Sequence, residues 1–148
     1  MNSIGRETIL QGKDHENLLV LLKKAQSKFG CVPEEFIAEV AQSLNIPISE
    51  VYGVATFYSF LSTKPQGRNV IRVCQSLPCY LKNSQMIIES VADKIGIKPG
   101  EATPDGRFSF ELANCIGGCD EAPAMLINND VHVNLTPRKI SQILQSYK

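Results

Sequence analysis

Apolar residues first recur at a helical interval. Leu18, Leu22, Ala25 and Phe29 fall on one face, so residues 15–28 are predicted to form an amphipathic helix behind a polar, non-periodic arm at 1–14. Gly30 ends that helix and Pro33 opens a second, whose face is Ile37, Val40, Ala41 and Leu44. Pro47 interrupts, and Ser49 is the expected cap of a third helix with Val51, Val54, Ala55 and Tyr58 on its face. The aromatic run Ala55-Thr56-Phe57-Tyr58-Ser59-Phe60 is expected to lie in the core of this bundle; a docking surface is the alternative. Lys64-Pro65-Gln66-Gly67-Arg68 is rich in turn residues, and the domain boundary is placed there.

Beyond it the period changes. Residues 69–73 read as a short β-branched strand running into Cys74. Ile88, Val91 and Ile95 mark a helix over 84–95, with Asn83 or Ser84 as cap and Gly96 and Pro99-Gly100 as its end. Phe108 and Phe110 alternate with polar residues on a strand leading to Cys115. Residues 124–127 form another apolar strand, and Asn128-Asn129-Asp130 turns it into a hairpin with Val131-His132-Val133. Thr136-Pro137 starts a last helix with Ile140, Ile143, Leu144 and Tyr147 on one face. The order β-α-β-β-β-α predicts a small α/β (α+β) sandwich, helices covering a mixed sheet, behind the N-terminal helical bundle.

Composition narrows the function classes. With Lys+Arg at 15 and Asp+Glu at 15 the formal charge is zero, which leaves no basic surplus for nucleic acid. A net charge near zero also suits a subunit better than a dispersed monomer. No apolar run reaches membrane-spanning length, and Met1–Glu7 has no signal-type apolar stretch, so direct membrane insertion is not expected and a cytoplasmic location is.

Five cysteines in such a chain point to metal or redox chemistry rather than disulfides. Cys74 and Cys79 form a C-x4-C pair, Cys115 and Cys119 a C-x3-C pair, each after a predicted strand. Four soft thiolates suit an iron–sulfur cluster or zinc. Structural zinc sites favour narrower C-x2-C hooks, and Gly117-Gly118 between two ligands lets backbone N–H groups approach an anionic centre. Spacing therefore favours a cluster and leaves zinc open. No C-x-x-C motif is present for a thioredoxin-type dithiol. His15 and His132 lie too far along the chain from either pair to complete a Rieske site. Cys31 reads as a small buried hydrophobe and His132 as structural. No nucleophile–base pair and no phosphate-binding glycine loop is visible, so no catalytic residue is expected.

The stretch Asp105-Gly106-Arg107-Phe108-Ser109 through Cys115-Ile116-Gly117-Gly118-Cys119-Asp120-Glu121-Ala122-Pro123 resembles the signature of the small iron–sulfur subunit of NADH dehydrogenases (complex I), known in bacteria as the E subunit. Val32-Pro33-Glu34-Glu35, residues 50–60 and Gly96-Ile97-Lys98-Pro99-Gly100-Glu101 are similar to family stretches, so the likeness spans about residues 15 to 148. The resemblance implies a helical bundle over 15–67 and a thioredoxin-like ferredoxin domain over 68–148. It also implies one [2Fe–2S] cluster on Cys74, Cys79, Cys115 and Cys119. The implied partner is a flavoprotein subunit that holds FMN, NAD(H) and its own iron–sulfur cluster, with a further iron–sulfur, hydrogenase or dehydrogenase subunit beside it. Parent complexes of this kind include NADH:quinone oxidoreductase, NAD-linked and electron-bifurcating hydrogenases, and formate dehydrogenases. The expected role is an electron-transfer subunit with no substrate site of its own; a zinc-bound structural adaptor and a free-standing ferredoxin carrier are the competing readings.

Overall fold

A computed structural model describes residues 18–147. The arm expected over 1–14, the start of the first helix and His15 lie outside the described residues. The chain divides into two compact units, parting between Pro65 and Gln66.

The first unit is helical: α1 (Leu18–Phe29), α2 (Glu34–Leu44) and α3 (Ile48–Phe57). Leu21, Leu22 and Ala25 from α1 meet Phe36, Ile37, Val40 and Ala41 from α2 and Val51 and Ala55 from α3 in one buried cluster. That burial of apolar faces is what holds three short helices together, since none is long enough to be stable alone. Gly30, at φ +75°, lets the chain leave α1. Gln26 then ties the end of that helix to the far end of the unit: its amide donates to the Gly30 carbonyl (3.0 Å) and its carbonyl accepts from the Ser62 N–H (3.0 Å).

Two expectations fail here. Ser49 does not cap α3; Pro47 holds that position in an extended conformation, and its carbonyl accepts the first helical bond from the Glu50 N–H (3.0 Å). The aromatic run is not core. The helix stops at Phe57, Tyr58 turns extended, and Phe57 (78%), Tyr58 and Phe60 are exposed, as is Tyr52. Val51 and Ala55 already supply the buried stripe of α3, which leaves the aromatics facing outward.

The second unit is α/β: β1 (Asn69–Cys74), α4 (Leu77–Leu81), α5 (Ser84–Ile95), β2 (Phe108–Ala113), β3 (Met125–Ile127), β4 (Asp130–His132) and α6 (Pro137–Ser146). The sheet order is β2-β1-β3-β4. β1 and β2 are parallel and joined through α5; β1–β3 and β3–β4 are antiparallel. β1 is central and all six of its residues are buried. Ile71 pairs with Phe110 and Ile127, and Val73 with Leu112 and Met125. This face packs on Ile87 and Val91 of α5 and on Ile140 and Leu144 of α6. Thr136 caps α6 through its hydroxyl, which accepts from the Lys139 N–H (3.3 Å).

The opposite face of β1 carries Val70, Arg72 and Cys74. Arg72 is buried there and its Nε lies 2.9 Å from Glu111 Oε2, the register partner on β2, while the Gln66 amide holds the other Glu111 oxygen. At the end of the sheet where β1 begins, Asn128 takes the left-handed conformation (φ +54°) in the β3–β4 turn. Its side-chain oxygen accepts from the Val70 N–H (2.9 Å) and its backbone N–H donates to the Val70 carbonyl (3.0 Å). Its side-chain amide reaches Asn69 Oδ1 (3.3 Å).

Candidate metal centre

Three chain reversals meet at the end of the sheet where β1 finishes: the segment after β1, the β2–β3 loop and the segment after β4. The Cys74 N–H donates to the Ala124 carbonyl (3.1 Å) and the Gln75 N–H to the Ala113 carbonyl (2.9 Å), so β1 stays paired on both sides up to the first cysteine. One helical turn, α4, follows; Pro78 sits in its first turn and the Tyr80 N–H bonds back to Ser76 (2.9 Å). This turn brings Cys79 back beside Cys74, within sulfur hydrogen-bonding reach. Both are buried, at 1% exposure each, in a small cluster with Ala124 against which Ile116, Ala122 and Val133 pack. The sequence pattern missed α4, because five residues carry no period.

Cys115 and Cys119 lie on the β2–β3 loop. Both are exposed, and their sulfurs stand 3.2 Å apart. Gly117 has φ +88°, a conformation glycine adopts without a Cβ penalty. Gly118 sits so close to its neighbours that a Cβ would stand 3.2 Å from Val133 Cγ1 and 3.3 Å from Ala124 Cβ. The loop is fastened from the segment after β4: the Asn134 N–H donates to the Glu121 carbonyl (2.7 Å) and the Asn134 amide to Glu121 Oε1 (3.0 Å). The four cysteines singled out from the sequence thus share one end of one sheet. Cys31 belongs to the helical unit, where burial pushes its thiol up.

Backbone donors reach the sulfurs on both sides. The Gly117 N–H bonds Cys115 and, with Cys119 as a second donor, holds its thiol below the ordinary range. Burial, then the Cys74 thiol, pushes Cys79 up to about 11, against an opposing bond from the Ala124 N–H. Cys119 is raised, first by its bond to Cys115. A buried thiol such as Cys79, held up by its surroundings, becomes a thiolate only where a cationic centre compensates, as a metal core does. The donors come as two close pairs, Cys74 with Cys79 and Cys115 with Cys119. Four thiols in two pairs at one sheet end are a donor set that a two-iron core accepts, one pair per iron.

His132 is structural. The Tyr147 hydroxyl donates to Asp130 Oδ2 (2.8 Å), so its single proton is committed and His132 Nε2 is the donor in their 3.0 Å contact. Burial lowers His132 from its ordinary value, and burial together with Asp130 raises Tyr147 to about 12. The folded protein therefore favours neutral His132, while the unfolded chain takes up a proton as pH falls through about 6.5. Stability held above that pH is lost below it. Between about pH 7.5 and about pH 5.5 the wild type is expected to lose more thermal stability than His132→Gln; parallel curves for the two would refute this.

A small α/β unit with four thiols in two pairs at one end of its sheet carries a donor set of the kind that cysteine-ligated iron–sulfur proteins use. Residues 6–148 match the family model of the thioredoxin-like [2Fe–2S] ferredoxins, and the chain belongs to that family. One [2Fe–2S] cluster is accordingly its cofactor. The chain is 45% identical over 127 residues, 86% of its length and 76% of the relative's, to the E subunit of the NADH-quinone oxidoreductase of Escherichia coli (strain K12). It is 37% identical over 141 residues, 95% of its length and 81% of the relative's, to the HndA subunit of the NADP-reducing hydrogenase of Solidesulfovibrio fructosivorans. A crystal structure of an NAD+-reducing [NiFe]-hydrogenase in the air-oxidized state shares the fold, with a TM-score of 0.75 at 23% identity; the match covers 92% of this chain and 24% of that one. Among the described residues no helix is long and apolar enough to cross a membrane.

Proposed function

We propose that Cys74, Cys79, Cys115 and Cys119 ligate the [2Fe–2S] cluster. We further propose that the chain exchanges single electrons with an FMN- and NAD(H)-binding iron–sulfur flavoprotein subunit of an NADH-oxidising or NAD-reducing complex. The convergence of the two cysteine pairs at one sheet end, one pair buried and one exposed, carries this reading. The cluster supplies a one-electron couple beside a flavin that handles hydride. The protein's own part is to hold the four thiolates, to shield the inner pair with Ile116, Ala122 and Val133, and to aim the Gly117 and Ala124 N–H groups at sulfur, where they favour the more negative, reduced state.

The exposed apolar residues support life as a subunit. Leu77, Tyr80 and Leu81 on α4 lie beside the inner cysteines, and Tyr52, Phe57, Tyr58 and Phe60 are exposed on the helical unit. A diffusing carrier gains nothing from such surfaces. Similar chains serve both a quinone reductase and a hydrogenase, and a parent complex of either class, the bifurcating enzymes included, suits these features.

Anaerobic purification of the native protein is expected to yield a brown complex containing a flavoprotein subunit. Each copy of this chain should bring two irons and two acid-labile sulfides beyond those of its partners, and a paramagnetic signal should follow dithionite reduction. Zinc in place of iron on this chain, or a lone small species carrying the cluster, would overturn the reading.

A further inference from the structure

Resting on that ligand assignment, we propose that the exposed Cys115–Cys119 pair is the entry point for cluster loading. It takes one iron of a [2Fe–2S] unit from a thiolate-ligated carrier before the buried Cys74–Cys79 pair takes the other. The two pairs are unequal in access: Cys115 and Cys119 are exposed with sulfurs 3.2 Å apart, whereas Cys74 and Cys79 are each 1% exposed. A cluster still gripped on one side by its carrier is bulky, and it meets only the outer pair.

The cover over the inner pair is partly made from the loop that bears the outer one. Ile116, between the two entry ligands, packs on the Cys74, Cys79 and Ala124 cluster, with Ala122 of the same loop. Gly117, next to Ile116, sits at φ +88° with open space where a Cβ would be. In this proposal Ile116 swings aside to uncover the inner thiols, and its return brings an iron already held by Cys115 and Cys119 toward them. Each exchange breaks one iron–carrier sulfur bond and forms one iron–cysteine bond. The incoming thiol passes its proton to the departing thiolate, and no electron moves.

Full-length apoprotein would be mixed with glutathione-ligated [2Fe–2S] and followed by native mass spectrometry and visible circular dichroism. Wild type is expected to end with the cluster and no glutathione. Cys74→Ala/Cys79→Ala should accumulate a species of chain, cluster and two glutathiones. Cys115→Ala/Cys119→Ala should form none, or form it at least ~10-fold more slowly. The reverse pattern, or equal trapping by both variants, would overturn the loading order. A wild type that takes up no cluster, or a Cys74→Ala/Cys79→Ala variant that ends free of glutathione, would instead overturn the ligand assignment beneath it. A pulse of iodoacetamide on wild-type apoprotein, read by peptide mapping, needs no variant to fold. Cys115 and Cys119 should be alkylated first and the modified protein should fail to load; Cys74 and Cys79 reacting as fast would sink the proposal.

Discussion

Cys79→Ser, purified anaerobically beside wild type, is expected to lose at least ~10-fold in bound iron and acid-labile sulfide, together with the visible spectrum and the reduced paramagnetic signal. A serine hydroxyl is a harder and far less acidic donor than a thiol, and it would sit at a position 1% exposed among Ala124, Ile116 and Val133. The neighbouring chain also suffers, because the Ala124 N–H loses its sulfur acceptor. Cys31→Ser is the matched control. Cys31 is equally a buried free thiol, but it belongs to the helical unit, so its loss should cost about 1 kcal/mol of stability and leave iron content unchanged. Equal iron loss in both variants would mean that misfolding, not ligation, explains Cys79→Ser. Full iron retention in Cys79→Ser would remove that residue from the ligand set.

Gly67→Ala is expected to destabilise the α/β unit by about 2 kcal/mol or more and to lower its melting temperature by roughly 10 °C. A Cβ at this position would lie 2.6 Å from the Phe108 carbonyl carbon and 2.9 Å from the Phe108 nitrogen, both backbone atoms that cannot rotate away. Gly67 also donates its N–H to Ser109 Oγ (2.7 Å), so moving it strips a buried hydroxyl of its donor. Phe108 anchors the start of β2, and its displacement disturbs the pairing that ends at the loop bearing Cys115. Thermal melts of the apoprotein isolate this effect from cluster loss; an unchanged midpoint would show that the backbone yields more easily than the contact suggests.

Much of the fold was legible because most elements are bounded by chemistry local to them. Gly30 and Gly96 close helices, Thr136-Pro137 opens one, and the Phe108/Phe110 alternation marks β2. The cysteine pairs were legible too, being a matter of spacing. What escaped turned on how the chain packs and pairs rather than on residue type. The aromatics 57–60 look like core by composition, yet Val51 and Ala55 fill the place available to α3 and the helix ends at Phe57. Pro47 replaced Ser49 as cap because a proline in extended conformation already supplies the first carbonyl. The amide of Ala124 as a sulfur donor had no sequence signal, since it follows from how β3 enters beside β1.

The asparagine clasp far from the cysteines bears on them directly. Side chains alternate strictly along β1, so sliding that strand by one residue against β3 would turn Cys74 inward beside Met125 and send Val73 to the face that Cys74 now occupies. Asn128 grips Val70 through both its N–H and its side-chain oxygen and reaches Asn69 besides, which fixes the offset at the first residues of the strand. Whether Cys74 faces the other three thiols or the hydrocarbon core is thus decided at the opposite end of the sheet, by a residue in the β3–β4 turn.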